Sequence, residues 1–301
     1  MPLLANYLAP SGPQLSANAR IPGGAALGLL PFGAYVFIFL AIPTALAVGS
    51  GFTDGDGAFS VDSVQALADP VVLRTFWNSL WLSALTAGLG VVLGAIVCYA
   101  LIGTKPDGWL RTTVNAISGV LAQFAGVPLA FAYIAAMGIN GIVTVWLRDA
   151  VGWDIYANGT WLYEMPGLIL PYLAFQIPLM VIVFLPALEA LRPQWAEANA
   201  TLGGSPRTYW RHIGLPVLAP SLVGSLLLLF ANSFSAYATA AALISQGSQI
   251  VPLQIRAALS SETVLGHENL AGALALGMIL VMVAVMSLYS LVERRGSRWR
   301  R

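Results

Sequence analysis

The sequence predicts an all-α, polytopic membrane protein with six transmembrane helices. Of its 301 residues, 58% are apolar and only 9% are charged, whereas about a quarter of the residues in a soluble domain are charged. Six stretches without a formal charge are each long enough to supply the ~20 residues that a helix needs to cross a bilayer. The charged residues between these stretches are sorted by sign into alternate gaps. Composition, span length and charge sorting therefore indicate the same fold class.

The uncharged stretches define the predicted elements in chain order. They cover residues 21–53, 75–104, 112–147, 165–188, 212–255 and 269–292. We therefore expect an N-terminal tail at 1–24, a six-span domain at 25–292 and a basic tail at 293–301. In the second stretch, Gly90 and Gly94 form a small-xxx-small pattern, which we interpret as a site of close helix packing.

The first stretch contains a pattern that resembles a signal-peptide cleavage site, Ala45-Leu46-Ala47. The apolar run before it, residues 25–45, is longer than the roughly 7–15 residues of a signal-peptide core. We therefore expect the first span to be retained, with cleavage as the alternative.

The charged residues predict the orientation of the chain. Eleven of the fourteen basic residues lie before the first stretch, between the second and third, between the fourth and fifth, and after the sixth. The other three gaps hold nine of the thirteen acidic residues, among them Asp54, Asp56, Asp62, Asp69, Glu262 and Glu268. By the positive-inside rule, both termini are expected in the cytoplasm. Because the charges follow topology, they give no reason to expect nucleic-acid binding.

The scarcity of some residue types excludes several kinds of site and mechanism. The single Cys98 can form no internal disulfide, and two histidines are too few for a metal site. No Asp, Glu, His or Arg side chain lies away from the ends of the stretches, which argues against an ion-driven secondary transporter. The only lysine, Lys105, is followed by proline, so the chain has no P-loop, and any ATP and Mg would be bound by a separate ATPase.

Enzyme signatures are also missing from the sequence. Neither a G-x-S-x-G elbow nor an H-E-x-x-H pair occurs. We therefore expect a non-catalytic membrane subunit without a cofactor of its own. A membrane enzyme and a self-contained secondary transporter or channel remain the alternatives.

The gap between the fourth and fifth stretches, residues 189–215, is predicted to form two short helices joined by a glycine turn. Pro193 suits the first turn of a helix, and Gly203-Gly204 ends that helix. Ser205 can cap the second helix, and Leu215-Pro216 leads into span five. On the first helix the apolar residues recur at spacings of three and four: Leu188, Leu191, Trp195, Ala198 and Leu202. On the second, Tyr209 and Ile213 share a face.

This loop resembles the EAA loop of the inner-membrane permease subunits of binding-protein-dependent ABC importers. The family pattern is E-A-A, three residues, G, nine residues, I, one residue and L-P. This chain has Glu197-Ala198-Asn199, Gly203, Ile213 and Leu215-Pro216 at those spacings, with Asn199 in place of the usual alanine. A second similarity to the family's core covers Asn78-Ser79-Leu80, Ser83, Gly94 and Tyr99. Together the similarities extend over residues 76–292.

The resemblance implies a role for the loop and a set of partners. The loop would sit in a groove of the ATPase, where Glu197, next to Ala198, would pair with a basic residue of that subunit. Gly203 would make the turn, and Ser205 to Ile213, with Arg207 and Tyr209, would form the coupling helix. The implied partners are two ATPase subunits that bind ATP and Mg, a second permease chain, identical or not, and an extracytoplasmic substrate-binding protein. The implied location is the bacterial inner membrane. The alternative is an interfacial amphipathic helix that uses Arg207 and Arg211.

Span five carries a stripe of small polar residues on one helical face, which we interpret as the lining of a hydrophilic pathway or as interhelical hydrogen bonding. Its members are Ser221, Ser225, Asn232, Ser235 and Thr239. Asn78, Gln123 and Gln176 on other spans could join either arrangement. Residues 230–239 and 251–255 look most like permeases of the polyamine-type group, which also includes relatives for iron, phosphonates, thiamine and sulfate. The resemblance therefore implies a small polar solute such as a polyamine, with those other solutes as alternatives.

Overall fold

The computed structural model describes residues 23–53, 58–105, 108–244, 250–260 and 270–297. Over these residues, six helical segments are long and apolar enough to cross a membrane, which confirms the predicted number. They are Gly28–Ser50, Pro70–Ile102, Val127–Val151, Met165–Glu189, Pro206–Phe234 and Leu270–Ser290. Most of the predicted tail at 1–24, the last four residues of the basic tail, and Asp54, Asp56, Glu262 and Glu268 lie outside the described residues.

The helices are numbered here in chain order. They are α1 (23–50, with a π-helical turn at Phe37–Ala41), α2 (Pro70–Ile102), α3 (Trp109–Gln123), α4 (Val127–Met137), α5 (142–151, ending in the π-helical turn Leu147–Val151), α6 (Ile169–Glu189), α7 (Pro193–Thr201), α8 (Pro206–Phe234, with a π-helical turn at Trp210–Gly214), α9 (Ala238–Leu243), α10 (Val251–Ser260) and α11 (Leu270–Ser297). Short turns of helix lie at Asp62–Gln65, Ala66–Ala68, Trp161–Tyr163 and Met165–Leu168. An isolated antiparallel bridge joins Thr53 and Phe59.

The chain separates into two compact units, Met1–Ala47 and Val48–Arg301. In the first unit, the described part of α1 exposes large apolar side chains, among them Leu29, Phe32 and Phe39. Such a surface suits contact with lipid.

The second unit is built around α2, α6 and α8. Helices α2 and α6 run parallel, because Thr86 contacts Gln176 near the middle of α2 and Gly94 meets Met180 one to two turns further along. A Cβ atom on Gly94 would lie 2.5 Å from the Met180 side chain, so only glycine allows this approach. The packing interpretation of Gly90 and Gly94 therefore agrees with the structure. Helix α8 runs antiparallel to α2, with Ser233 at Thr86 and Leu229 at Gly90.

The third predicted stretch, 112–147, is not one continuous helix. Helix α3 ends at Gln123, and α4 begins after Gly126, whose φ of +94° is available mainly to glycine. Pro128 lies in the first turn of α4, where its missing N–H is not needed. The charge-free stretch therefore holds a helix break that its lack of charge did not reveal, because an apolar run carries no mark of where its backbone hydrogen bonds stop.

Helices α3 and α4 together follow α6 over its whole length. At one end, Arg111 of α3 forms an ion pair with Glu189, the last residue of α6. At the other end, the Tyr133 hydroxyl of α4 donates to the carbonyl of Leu170, 3.2 Å away. Residues 109–137 at about 1.5 Å each exceed the ~30 Å hydrocarbon core. The predicted stretch 112–147 thus contains two helices that follow α6, and the apolar span Val127–Val151 begins with the second of them.

The fifth stretch, 212–255, is also interrupted. Helix α8 ends at Phe234, and the short helices α9 and α10 follow. The Ala236 carbonyl after this end accepts a hydrogen bond from the Tyr172 hydroxyl at 2.8 Å. Irregular backbone at membrane depth requires such partners, because hydrocarbon offers none.

A layer of polar side chains separates two apolar clusters inside the bundle. The loop-side cluster is formed around Cys98, Met180, Phe184, Leu188 and Leu229. The distal cluster is formed around Leu82, Leu168, Tyr172, Phe175 and Leu243. Between them, Gln176 Nε2 donates to Thr86 Oγ1 at 2.9 Å, and Thr86 Oγ1 lies 2.9 Å from Ser233 Oγ. All three residues are buried.

The segment after α4 is tied to the end of that helix. The Tyr156 hydroxyl donates to the Met137 carbonyl at 2.6 Å, which satisfies one of the free carbonyls at the helix end. Burial and the neighbouring Tyr163 raise the pKa of Tyr156 to about 12. The hydroxyl therefore stays protonated and remains a donor at neutral pH.

Candidate functional site

The loop between α6 and α8 has the helix–turn–helix form predicted from the sequence. Pro193 opens α7, and the helix ends at Thr201. Gly203 has a φ of +76°, and its N–H donates to the Ala200 carbonyl at 2.9 Å. Such a left-handed residue commonly closes a helix. The predicted turn at Gly203 is therefore present.

The side chain of Asn199 stabilises this turn with a hydrogen bond. Its Nδ2 donates to the Ser205 carbonyl at 3.2 Å, across the turn from α7 to α8. A Cβ atom on Gly204 would lie 2.3 Å from the Asn199 Oδ1. Asn199, where the family pattern has alanine, thus adds a hydrogen bond across the turn, and Gly204 leaves the room for its side chain.

The surface of α7 that points away from the bundle is uncovered. Leu188 is buried at the end of α6, and Leu191 and Trp195 are half-buried. Further along the predicted apolar face, Ala198 is exposed and Leu202 is 88% exposed. The near half of the face therefore packs on this chain, and the far half is free to contact another protein.

Charged side chains flank this free surface. Glu197, Arg207 and Arg211 are exposed. Among the described residues, no ion pair involves any of them. An exposed carboxylate that makes no ion pair with the described residues can form a charge-assisted bond to another protein.

The second loop helix differs from the prediction. Ser205 caps it as expected, because its Oγ accepts from the Thr208 N–H at 3.2 Å. The helix then continues without interruption from Pro206 to Phe234, so Ser205–Ile213 is not a separate helix that ends before Leu215-Pro216. The π-helical turn Trp210–Gly214 lies just before Pro216. A wide turn at this place lets the chain pass a proline, whose ring would clash in a regular helix.

Trp210 anchors the start of α8, and the sequence analysis did not identify it. Its ring meets Tyr99 of α2 edge-on at a centroid distance of 5.7 Å. A Cβ atom on Gly214 would lie 2.6 Å from the same ring, so glycine lets the indole lie against its own helix. Tyr209 and Ile213 are both half-buried beside it. A sequence signal for this contact exists. On both α2 and α8, an aromatic residue lies four to five residues from a glycine, which leaves room for an aromatic ring against the helix.

The polar stripe of span five does not remain on one face. Thr239 lies on α9, after the break, and is buried. Its Oγ1 accepts from the Gly126 N–H at 2.8 Å and lies 3.3 Å from the Gly126 carbonyl. Thr239 thus satisfies both backbone groups at the break between α3 and α4. For this residue the hydrogen-bonding interpretation fits, and the pathway interpretation does not.

The other members of the stripe divide in the same way. Ser225 is buried, so it faces the interior of this subunit. Ser221 and Asn232 are half-buried, and Ser235 is exposed. Gln123, at the end of α3, is also exposed. The accessible stripe residues are therefore Ser221, nearer the loop on α8, and Asn232 and Ser235, at its far end beside the helix break. We take Asn232 and Ser235 as the candidates for a pathway.

The ion pair between Arg111 and Glu189 was not predicted. Arg111 is only 8% exposed, and it begins the stripe with which α3 packs on α6, followed by Val114, Ser118 and Ala122. These small or apolar residues follow Arg111 at spacings of three and four, which puts them on the same helical face. That spacing could have placed Arg111 on the buried face of α3.

Named relatives are similar to this chain over about two thirds to three quarters of its length. The ferric transport system permease protein FbpB of Actinobacillus pleuropneumoniae is 25% identical over 206 residues, which cover 66% of this chain and 28% of the relative. The sulfate transport system permease protein CysT of Escherichia coli K12 is 25% identical over 235 residues, or 77% and 81% of the two chains. The spermidine/putrescine transport system permease protein PotC homolog of Mycoplasma pneumoniae is 26% identical over 216 residues, or 70% and 65%. The chain spans less than a third of the length of the ferric permeases that it matches.

Solved structures share the fold at low sequence identity. A chain of a bacterial ABC transporter involved in the import of the acidic polysaccharide alginate aligns with a TM-score of 0.73 and 18% identity, over 90% of this chain and 94% of that one. A chain of the MetNI methionine ABC transporter aligns with a TM-score of 0.56 and 17% identity, over 75% and 96%. These alignments show that the helices are arranged as in ABC importer membrane subunits.

A family model described as "binding-protein-dependent transport system inner membrane component" matches residues 90–298. The match contains the C-terminal part of α2, the two interrupted spans, the whole loop 189–215 and α11. It covers more than half of the 301 residues. The chain therefore belongs to the family of inner membrane components of binding-protein-dependent transport systems.

Proposed function

We propose that this chain is the transmembrane subunit of an ATP-driven importer and couples to a separate ATPase through the loop 189–215. The observation that carries the proposal is the free surface of α7, where Glu197 and Leu202 stand exposed next to the turn at Gly203. In this proposal the ATPase subunits bind ATP and Mg and contact α7 and the first turns of α8. A second permease chain completes the pathway, and an extracytoplasmic binding protein delivers the solute.

Purification from mild detergent followed by mass spectrometry tests this function. An ATPase and a second permease subunit are expected to copurify with the tagged chain, and the complex should hydrolyse ATP. Transport by the isolated chain in proteoliposomes, without any ATPase, would instead support a secondary transporter or channel.

The orientation proposed from the basic residues places the loop 189–215 and both termini in the cytoplasm. The native Cys98 is buried in α2, so an introduced cysteine can be labelled on a low background. Ser205→Cys should be protected from a membrane-impermeant thiol reagent in intact cells, and Asn158→Cys should react, because both positions are exposed in the structure. Labelling of Ser205→Cys from outside would overturn the orientation.

Asn232 and Ser235 are the proposed pathway residues. Asn232→Leu should lower transport several-fold while the complex with the ATPase stays assembled, because a half-buried amide is replaced by a bulkier apolar side chain. Transport and complex stability should be measured together, with Ser221→Leu, at a half-buried position nearer the loop on the same helix, as the control. Dissociation of the complex with Asn232→Leu would mean that this face is a packing surface.

The finer proposal for the solute is a small polar molecule such as a polyamine. It rests on the similarity of residues 230–239 and 251–255 to polyamine-type permeases and on the similarity to the PotC homolog. Because other relatives are named for ferric and sulfate transport, an uptake assay with competing solutes is the suitable test. Uptake of labelled spermidine should depend on this chain and be insensitive to excess sulfate or ferric ion.

A further inference from the structure

The ion pair between Arg111 and Glu189 stands where the coupling loop leaves the membrane bundle. Glu189 is the last residue of α6, and α7 begins four residues later at Pro193. Arg111 is in the first turn of α3 and is buried, whereas Glu189 is exposed on its outer side. The guanidinium also lies at the C-terminal end of α6, where the free carbonyls favour a positive charge.

The ion pair between Arg111 and Glu189 is a polar contact between α3 and the start of the loop. The apolar contacts nearby, those of Leu191 and Val114, belong to the loop-side cluster. Apolar contacts of this kind allow side chains to slide, whereas an ion pair with a buried arginine has one favoured geometry. A displacement of the loop on the ATPase therefore moves Glu189 and, through it, the start of α3.

Helix α3 leads from Arg111 to the break in the third span. At that break, Gly126 is held by the Thr239 side chain, so α9 and the end of α8 are tied to the same point. A chain of defined contacts thus runs from the loop through Glu189, Arg111 and α3 to the interrupted helices near the polar layer. Asn232 and Ser235, the candidate pathway residues, lie within two residues of the break at Phe234.

We propose that Arg111, through its ion pair with Glu189, is a positioning residue that transmits movement of the coupling loop to the broken third span. This inference rests on the proposed ATP-driven function. It adds a residue outside the loop, on a different helix, to the coupling apparatus.

The test compares coupling in reconstituted complexes that carry Arg111→Gln, Glu189→Gln or the exchange of both residues, Arg111→Glu with Glu189→Arg. Each single change should lower the amount of solute transported per ATP by about tenfold, the size typical of a coupling between two sites. The ATPase should still copurify with each variant. The exchange should regain most of the coupling, and Arg111→Lys should retain part of it.

Arg148→Gln is the matched control, because Arg148 pairs with Asp149 at 3.5 Å on the surface of α5 and both side chains are exposed. It should couple like the parent. Thermal stability of each complex in detergent separates a folding defect from a coupling defect. Variants that lose stability but transport the same amount per ATP would overturn the proposal, and so would single variants whose loss the exchange does not repair.

Measurements on the unmodified parent complex distinguish a failure of this inference from a failure of the proposed function. A parent that transports without an ATPase contradicts the proposed function itself. A parent that couples normally, with an Arg111→Gln variant that couples equally well, contradicts only the role of Arg111.

Discussion

Gly203→Val is expected to uncouple ATP hydrolysis from transport while leaving the protein inserted and folded. Gly203 has a φ of +76°, which a β-branched residue opposes by about 1–2 kcal/mol. No atom lies within 4 Å of the position that its Cβ would take, so the effect comes from the backbone and not from a clash. The chain can relieve the strain by opening the turn, which reorients α7 relative to α8. Solute-stimulated ATP hydrolysis should fall at least about tenfold.

Gly152→Val is the matched control for this change. Gly152 has a φ of +72° and open space around its Cβ position, but it closes α5, on the other side of the bundle from the loop. It therefore carries the same backbone cost without contact to the ATPase surface. Normal coupling is expected for this variant. If Gly152→Val uncouples as strongly as Gly203→Val, the effect is one of general stability.

Glu197→Ala examines the same surface without backbone strain. A charge-assisted hydrogen bond to the ATPase would contribute about 1.5–3 kcal/mol, so its loss should weaken association by roughly tenfold or more. Titration of the ATPase onto the reconstituted membrane subunits measures this change. Parent-like behaviour of both Glu197→Ala and Gly203→Val would remove the loop from the coupling mechanism.

Gly94→Val should prevent stable folding of the subunit. A Cβ atom at this position would lie 2.5 Å from Cβ and Cγ of Met180, well inside van der Waals contact. Because α2 and α6 form the centre of the second unit, they cannot separate without disturbing both apolar clusters. Overpacking of this kind costs about 1–3 kcal/mol, and more where the backbone must move. Little monodisperse protein is expected in detergent, by fluorescence-detected size-exclusion chromatography.

Gly88→Val provides the comparison on the same helix. No atom lies within 4 Å of the Cβ position of Gly88, so valine there meets no obstacle. This variant should elute and melt like the parent. Combination of Gly94→Val with Met180→Gly should restore part of the folded protein, since glycine removes both the Cβ and the Cγ atoms that the new side chain would meet. Equal stability of Gly94→Val and Gly88→Val would contradict the close packing of α2 on α6.

The sequence by itself determined the number of spans and the local form of the loop. The length of each uncharged stretch and the sign of the charges between stretches can be read from the sequence alone, without knowing which residues pack together in the fold. The cap at Ser205 and the left-handed turn at Gly203 also depend only on residues within a few positions. These features were therefore predictable from composition, spacing and turn chemistry.

Only the tertiary structure decided which residues meet across the bundle. An uncharged run does not reveal that its helix stops at Gln123, because the backbone at Gly126 is satisfied by Thr239, over a hundred residues away. Helical periodicity placed Thr239 on the face of Ser235, whereas the break after Phe234 turned it into the interior. The partner of Arg111 was likewise set by the antiparallel course of α3 along α6. Local patterns encode which face of a helix is polar, but the hydrogen-bond and charge partners of that face are set by long-range packing.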